Sequence, residues 1–190
     1  ALVLAYISQQ NTKATIAAGY RYSVWHDWAY IALVVVLTLF AGLRTSYNDT
    51  GNYIQIFNNL PGLKGFFADP DNLNPLGNPL FYLLANIVKD TTNNSQVLIL
   101  ITSIFAQCCF VRFIKRYSSN FLFSIFLYFT LGTFLLTMAA IKQITAMAIL
   151  TLAMPYLEQK KWPQYFLYVF IAMLMHTYAV AFMILPLFVR

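Results

Sequence analysis

Long uninterrupted blocks of apolar residues are the feature that most constrains this chain. The first complete block, residues 28–43, reads WAYIALVVVLTLFAGL, and further blocks follow at 97–114, 121–138, 139–157 and 164–190. Only 9% of the residues are charged, against about 25% in a typical soluble domain. Such blocks cross bilayers as helices, because a spanning segment must satisfy its own backbone hydrogen bonds. The sequence therefore predicts an all-α, polytopic integral membrane bundle.

The polar stretch of residues 44–78 is the longest interruption between these blocks, and we expect it to form a loop outside the membrane. Within it, apolar residues recur at positions i, i+3, i+4 and i+7, which predicts an amphipathic helix. These residues are Tyr53, Ile56, Phe57 and Leu60. Asn48 or Asp49 is the natural N-cap, and Pro61-Gly62 is expected to end the helix.

Two apolar segments leave alternatives open. Residues 79–89 would form a helix about 16 Å long at 1.5 Å per residue, which is too short for a hydrocarbon core of about 30 Å. We therefore favour a re-entrant or interfacial helix there, with a short buried span as the alternative. Residues 164–190 are interrupted by His176 and Pro186 and form either one tilted helix or two half-helices.

The whole chain, residues 1–190, is predicted to be a single transmembrane domain. It starts at Ala1 within an apolar run and stops at Arg190 directly after another. We therefore read it as a fragment of a longer chain, with residues 44–78 as the extracytoplasmic loop of its one domain.

The distribution of basic residues predicts which side of the membrane each loop occupies, because Lys and Arg gather on the cytoplasmic side. Lys13 and Arg21 place the first polar segment inside, and the first complete span then places residues 44–78 outside. If residues 79–89 do not cross, both later basic clusters return inside. These clusters are Arg112, Lys115 and Arg116, and Lys160 with Lys161. Topology thus explains the net charge of +6 without a nucleic-acid partner.

Lys142 is an ionisable residue inside an apolar run. Such a group costs about 2.5–3.5 kcal/mol on the insertion scale, and it usually faces a partner or a watery cavity. One interpretation is a cation that binds an anionic headgroup, such as a diphosphate, or stabilises a leaving phosphate. The alternatives are a side chain that extends to the outer interface, or a structural pair with Asp49.

Four further polar residues lie at a similar predicted depth, and we expect them to converge with Lys142 on one outward-facing cavity. Arg44 is an anion ligand or an ordinary helix-end cation. Asp49 is an N-cap, a general base or a ligand for a sugar hydroxyl. His176 lies about 18 Å from the inner edge at 1.5 Å per residue, where a lone histidine is more often structural than catalytic. Gln143 could bridge helices or bind hydroxyls.

Several aromatic side chains of the outer loop could stack on sugar faces, although packing is the commoner role of such residues. They are Tyr47, Tyr53, Phe57, Phe66 and Phe67, of which Tyr53 is our candidate substrate ligand. The adjacent Cys108 and Cys109 are interpreted as packing residues, since no metal-ligand spacing surrounds them. The chain has no Walker, HExxH or GxSxG motif, and we predict no nucleotide, metal or other cofactor.

Four segments hold these residues, in the order AGLRTSYNDTGNYIQIF, GNPLFYLLANIV, AAIKQITAMAILTLAMPYLEQKK and LMHTYAVAFMILPL. The first is an apolar helix that ends in an Arg-containing turn before an Asp-Tyr-type segment, and the second is a short helix. The third matches a helix with a basic end that opens with an Arg-Gln pair, and the last is a Phe-His-type element. In this order the segments resemble the motifs of the EpsG-like family of bacterial polysaccharide polymerases, related in role to the Wzy O-antigen polymerases. Two positions depart from the pattern. Lys142 replaces the usual Arg, which keeps the charge but loses the bidentate fork, and Asn78 replaces a carboxylate that the family often has.

The resemblance implies a multi-pass protein of the bacterial inner (cytoplasmic) membrane with a GT-C-like helical arrangement. It implies a metal-independent glycosyltransferase that joins undecaprenyl-diphosphate-linked repeat units at the outer face. Arg44 and Lys142 would bind diphosphate, Asp49 or His176 would orient or deprotonate the acceptor hydroxyl, and Gln143 would bind sugar. Membrane lipid, chain-length regulators and flippase proteins are the expected partners. The alternatives are a lipid-linked oligosaccharide flippase or transporter, and a non-catalytic subunit of a polysaccharide export assembly.

Overall fold

The computed structural model describes residues 1–17 and 23–189, and these residues form helices and turns without a strand. Arg21, which contributes to the predicted topology, lies outside the described residues. The α-helices, numbered α1 to α10 in chain order, are Leu2–Ala17, Trp28–Gly42, Thr50–Asn58, Gly62–Ala68, Pro79–Thr92, Ser95–Tyr117, Phe121–Thr130, Thr133–Ala139, Ile141–Glu158 and Trp162–Met175. Four 3₁₀ helices connect or follow them: Val24–His26, Pro70–Leu73, Pro75–Gly77 and Thr177–Phe188.

Helix α6 is the central helix, because its two faces pack into two different hydrophobic cores. One face, which includes Ala106 and Phe110, packs with α1, α2, α7 and α8. The other face, which includes Leu98 and Ile99, packs with α3, α5, α9 and α10. Gly42 of α2 allows a close approach, since a Cβ there would lie 2.7 Å from Cδ1 of Leu100.

Among the described residues, α6 is the one helix that is long and apolar enough to cross a membrane by itself. Helices α7 and α8 would qualify together as one bent crossing, with 54° between them. The bend falls beside Gly132, whose φ is +74°, a left-handed conformation that glycine adopts readily. The chain is therefore an all-helical protein with membrane-type segments.

Helix α2 has 15 residues, fewer than the roughly 20 that a crossing of the hydrocarbon core requires. It begins at Trp28 because the carboxylate of Asp27 accepts the N–H groups of Ala29 and Tyr30. The hydroxyl of Ser8 donates to the same carboxylate at 2.6 Å, and Asn11 of α1 donates to it at 2.9 Å. Asp27 therefore caps α2 and fixes α1 against it.

The outer loop contains the predicted amphipathic helix and a second helix that was not predicted. Helix α3, Thr50–Asn58, buries Phe57 and half-buries Tyr53, as the spacing requires. It ends at Asn58, three residues before Pro61. Helix α4, Gly62–Ala68, then buries Phe66.

Helix α5 runs to Thr92, three residues beyond its predicted end. Its first turn follows Asn78, which contacts Thr177. Near its other end, Lys89 donates to the carbonyl of Asn58 and Asp90 accepts the N–H of Leu63. Both ends of α5 thus contact elements of the same outer region, which favours the re-entrant or interfacial interpretation over a crossing.

The last apolar run is divided at His176 into α10 and a 3₁₀ helix, which decides between the two predicted alternatives. The hydroxyl of Tyr165 donates to the carbonyl of Phe182 at 2.6 Å. Tyr165 lies in the first turn of α10, so the chain must fold back at His176 to make this contact. The two halves form a helical hairpin with His176 at its tip.

The basic clusters lie together at the opposite end of the molecule. Arg112 and Arg116 of α6 border the same cavity as Gln159, which directly follows α9. Lys115 donates to the hydroxyl of Ser8 in α1 at 2.8 Å. One end of the bundle is therefore basic, as the charge distribution predicts, and the candidate site lies at the other end.

Candidate functional site

Lys142 lies at the start of α9, because the chain turns at Ala140 directly after α8. Its Nζ donates a hydrogen bond to the hydroxyl of Tyr82 at 2.9 Å. The same ammonium lies over the rings of Tyr82 and Phe81, 4.2 and 5.0 Å from their centroids. Among the described residues its side-chain partners are thus aromatic and neutral, and the alternative of a structural pair with Asp49 is not formed.

The N-terminus of α9 adds to this positive charge. Ala140 occupies the N-cap position and offers no side-chain acceptor, so the first N–H groups of the helix have no partner within it. The N–H of Lys142 lies 3.5 Å from the hydroxyl oxygen of Tyr53, at the limit of a hydrogen bond. A helix N-terminus carries a partial positive charge of roughly half an elementary unit. The ammonium and the helix end together favour an anion at this position.

His176 reaches the same place from α10. Its backbone is extended, with φ −155° and ψ 117°, and it separates the two arms of the hairpin. The imidazole interacts electrostatically with Lys142 and meets the ring of Tyr178 edge-on at 5.3 Å between centroids. Its Nδ1 is buried and hydrogen-bonds to none of the described residues. This nitrogen is therefore a buried polar atom without a partner among the described residues.

Asn78 fixes the hairpin tip beside α5. Its Oδ1 accepts the N–H of Thr177 at 2.9 Å and the Thr177 hydroxyl at 3.2 Å. That hydroxyl also lies 2.8 Å from the carbonyl of Leu76. Asn78 adopts φ +60°, a left-handed conformation that asparagine tolerates better than most residues. The position where the family often has a carboxylate therefore serves here to hold the residue next to His176.

We expect Asn78→Ala to destabilise the hairpin tip. It removes both bonds to Thr177 and places alanine in a left-handed conformation, which together should cost about 2–4 kcal/mol. Thermal unfolding of the purified protein in detergent would measure this as a lower Tm. Asn78→Asp keeps the acceptor oxygens and should unfold within a degree or two of the wild type. The matched control is Asn52→Ala, on the exposed face of α3, and an equal Tm for the two alanine variants would contradict this role of Asn78.

Tyr53 connects the two halves of the site. Its phenol interacts electrostatically with Arg44 and Asp49 on one side and with Tyr82 on the other, besides its contact with Lys142. Burial raises the pKa of Tyr53, and the Asp49 carboxylate raises it further. The phenol thus stays neutral near pH 7, able both to donate and to accept a hydrogen bond. The structure therefore places Tyr53 at the centre of the predicted cluster.

Asp49 occupies the N-cap position of α3, as predicted, but its carboxylate caps nothing. The side chain makes no hydrogen bond to the first turn of the helix. It is half-buried and follows a turn in which Tyr47 and Asn48 both have positive φ, 146° and 44°. Strained turns of this kind concentrate at functional sites. Among the described residues, the Asp49 carboxylate therefore lies near Tyr53 without capping α3.

Arg44 is held by neutral groups. Its Nε donates to the Thr50 hydroxyl at 3.1 Å, and its Nη1 donates to the Ser103 hydroxyl at 3.2 Å and to the carbonyl of Ala41. The residue is only 9% exposed. Burial lowers the pKa of Arg44, although a guanidinium remains protonated in proteins. Arg44 thus organises the end of α2 as well as adding positive charge.

A cavity of about 740 Å³ opens beside Arg44. Its walls are the end of α2, the turn that follows it and Met138 of α8. Lys142, Gln143 and His176 are not among the lining residues. The structure therefore links Arg44 to Lys142 through Tyr53, and this cavity is not the single shared one that the sequence predicts.

The remaining candidates divide between exposed and packing residues. Gln143 is exposed, and its side chain hydrogen-bonds to none of the described residues. Phe57 and Phe66 are 1% and 2% exposed, so they pack and cannot stack on a sugar. Tyr47 and Phe67 remain exposed.

The sequence analysis missed the aromatic pair that surrounds the Lys142 ammonium. Phe81 and Tyr82 lie in the short helix GNPLFYLLANIV and appear there as ordinary apolar residues. The sequence does contain an indication of such a pair. A lysine within an apolar run needs neighbours that stabilise a cation, and the faces of aromatic rings do so. Which aromatics these are depends on the packing of α5 against α9.

These features define the class. It is a helical membrane protein whose one end gathers a lysine with neutral partners among the described residues, a helix N-terminus without a side-chain cap, aromatic rings and a carboxylate that caps no helix. The sequence profile of the EpsG family matches residues 27–190, and the chain belongs to this family. The resemblance noted from the motifs is thereby confirmed. The family is associated with exopolysaccharide biosynthesis and with glycosyltransferase-like polymerases. No curated protein and no solved structure matches the chain significantly.

Proposed function

We propose that this protein is a polysaccharide polymerase, a glycosyltransferase that joins undecaprenyl-diphosphate-linked repeat units at the outer face of the cytoplasmic membrane. The observation that carries the proposal is the Lys142 ammonium, which has no carboxylate partner among the described residues and lies at the uncapped N-terminus of α9. Phosphate oxygens are the natural ligands of such a charge. The multi-pass topology and the GT-C-like arrangement belong to the same proposal.

In the proposed reaction, a hydroxyl oxygen of the acceptor sugar attacks the anomeric carbon of the donor glycan. The new glycosidic C–O bond forms as the bond from that carbon to the diphosphate oxygen breaks, and its electron pair leaves with undecaprenyl diphosphate. Lys142 and the α9 N-terminus stabilise the negative charge that develops on the leaving oxygen. Because this charge is stabilised by the protein itself, the proposed mechanism is metal-independent.

The proton of the acceptor hydroxyl passes to a base on the other side of Tyr53. The Asp49 carboxylate is our assignment, because it makes no cap bond and a carboxylate can act as a general base. His176 interacts with Lys142 and is assigned to the diphosphate side, where its free Nδ1 can orient the donor. Tyr53 and Tyr82 are half-buried and offer rings for sugar faces, and the exposed Gln143 offers an amide to a sugar hydroxyl.

Surface glycan from a strain that lacks the gene tests the proposal. We expect single repeat units to remain on the cell surface and long chains to be lost, and we expect the wild-type gene to restore the long chains. Loss of all surface glycan would instead indicate a flippase. Unchanged chain length would indicate a non-catalytic subunit or another process. Chain-length regulators and flippases are the proposed protein partners.

A further inference from the structure

A second charged cavity lies at the basic end of the molecule, far from Lys142. It measures about 530 Å³ and opens between the ends of α6 and α9. Its polar walls are Arg112, Arg116, Tyr117, Tyr156 and Gln159. Nothing in the proposed polymerase reaction uses these residues.

The chemistry of this cavity suits a phosphate group. Arg112 and Arg116 are four residues apart on α6, so both guanidinium groups project from one face of the helix. Neither forms an ion pair with a carboxylate of the described residues. Arg116 lies beside the Tyr117 ring, 5.6 Å from its centroid, and the nearby Glu158 interacts with the Tyr117 hydroxyl. Two guanidinium groups with hydroxyl and amide donors form the usual environment of a bound phosphate.

The basic cavity adjoins an apolar one. The second cavity measures about 380 Å³ and lies between α6, α7 and α9. Phe113 and Thr151 line both cavities, so these two side chains form the boundary between the two spaces. The apolar walls include Phe110, Ile114, Leu127, Leu150 and Met154. A ligand that fills both spaces needs a phosphate head and a hydrocarbon tail.

We propose that the two cavities form a binding site for an anionic phospholipid of the leaflet at the basic end. The phosphate lies between Arg112 and Arg116, and one acyl chain extends past Thr151 into the apolar cavity. The positive-inside rule makes this the cytoplasmic leaflet, where anionic lipids attract basic residues near the membrane. The bound lipid holds the ends of α6 and α9 together. The site is distinct from the substrate site and does not depend on the proposed reaction.

The test uses the purified full-length protein in a neutral detergent, with the shift in Tm as the readout. We compare phosphatidylglycerol, phosphatidylcholine with the same chains, and inorganic phosphate. We expect phosphatidylglycerol to raise the Tm, and we expect R112Q/R116Q to weaken its binding on the order of thirtyfold, given about 1 kcal/mol for each of the two basic residues. The matched control is K160Q/K161Q, which removes two exposed charges at the same end that do not line the cavity and should bind as the wild type does.

A second variant tests the hydrocarbon part without changing either arginine. Thr151→Phe fills the junction of the two cavities and should weaken binding of long-chain phosphatidylglycerol, while dihexanoyl phosphatidylglycerol binds as before. Equal stabilisation by phosphatidylcholine, equal stabilisation by inorganic phosphate alone, or an equal loss in K160Q/K161Q would overturn the proposal. So would unchanged binding of long-chain lipid to Thr151→Phe.

Discussion

Lys142→Ala is expected to abolish the long glycan chains while single repeat units remain on the cell surface. Removing one group that stabilises the charge developing in a transition state typically costs about 10²–10³ in rate. Lys142 is the cation at the uncapped start of α9, and its partners are neutral aromatic residues. Its loss should therefore lower turnover far more than it lowers stability, because the contacts with Phe81 and Tyr82 contribute only about 0.5–1 kcal/mol at a partly exposed site.

Chain length read from extracted surface glycan measures this effect, with protein level in the membrane measured in parallel. The matched control is Lys64→Ala, which removes an exposed charge from α4 in the same outer region and should leave chain length unchanged. Lys142→Arg is expected to retain long chains, since it keeps the charge. Full-length chains from Lys142→Ala at normal protein levels would refute the assignment of Lys142 to the diphosphate.

The positions of the long helices could be predicted largely from the apolar blocks and from the turn-forming residues between them. The apolar blocks at 97–114 and 139–157 locate α6 and α9. The exact start of α2 could not be predicted, because its length depends on whether Asp27 accepts the first N–H groups, and that depends on where α1 packs. Helix α4 was not predicted, because its seven residues, GLKGFFA, are too few to show a helical periodicity.

The site could be predicted as a set of residues but not as a set of contacts. Depth and charge placed Arg44, Lys142 and His176 at one end, and the structure gathers them there. Sequence spacing could not show that Tyr53 lies between them, because that contact joins α3 to the start of α9, 89 residues apart along the chain. Nor could it show that the Asp49 carboxylate does not cap α3, since an aspartate before a helix usually caps it.

The hairpin at His176 could not be predicted for the same reason, because it depends on a contact between residues that are distant in the sequence. An apolar run of this length is compatible with one tilted helix, and only the bond from Tyr165 to Phe182 shows that it folds back. The fold-back brings Thr177 to Asn78, so the departure of Asn78 from the family pattern becomes a structural link. Local sequence therefore predicts the residues that are chemically unusual, and long-range packing decides which of them meet.

Asp49→Asn is expected to lower the rate of polymerisation about 10²–10⁴-fold, the usual contribution of a general base. The substitution keeps the shape and one oxygen of the side chain but removes the proton-accepting carboxylate. Because that carboxylate makes no hydrogen bond to the first turn of α3, the helix should keep its stability and the Tm should change little. The expected phenotype is therefore short chains from a normally folded protein.

Two comparisons make this prediction specific to Asp49. Asp71→Asn removes an exposed carboxylate from the same outer loop and should leave chain length as in the wild type. His176→Gln removes the other candidate base, and we expect it to reduce the rate less than Asp49→Asn, because the imidazole lies on the Lys142 side of Tyr53. The reverse order of the two effects would transfer the base assignment to His176. If instead Asp49→Asn lowered the Tm as strongly as it lowered the rate, Asp49 would be a structural residue of the turn, and the acceptor proton would need another destination.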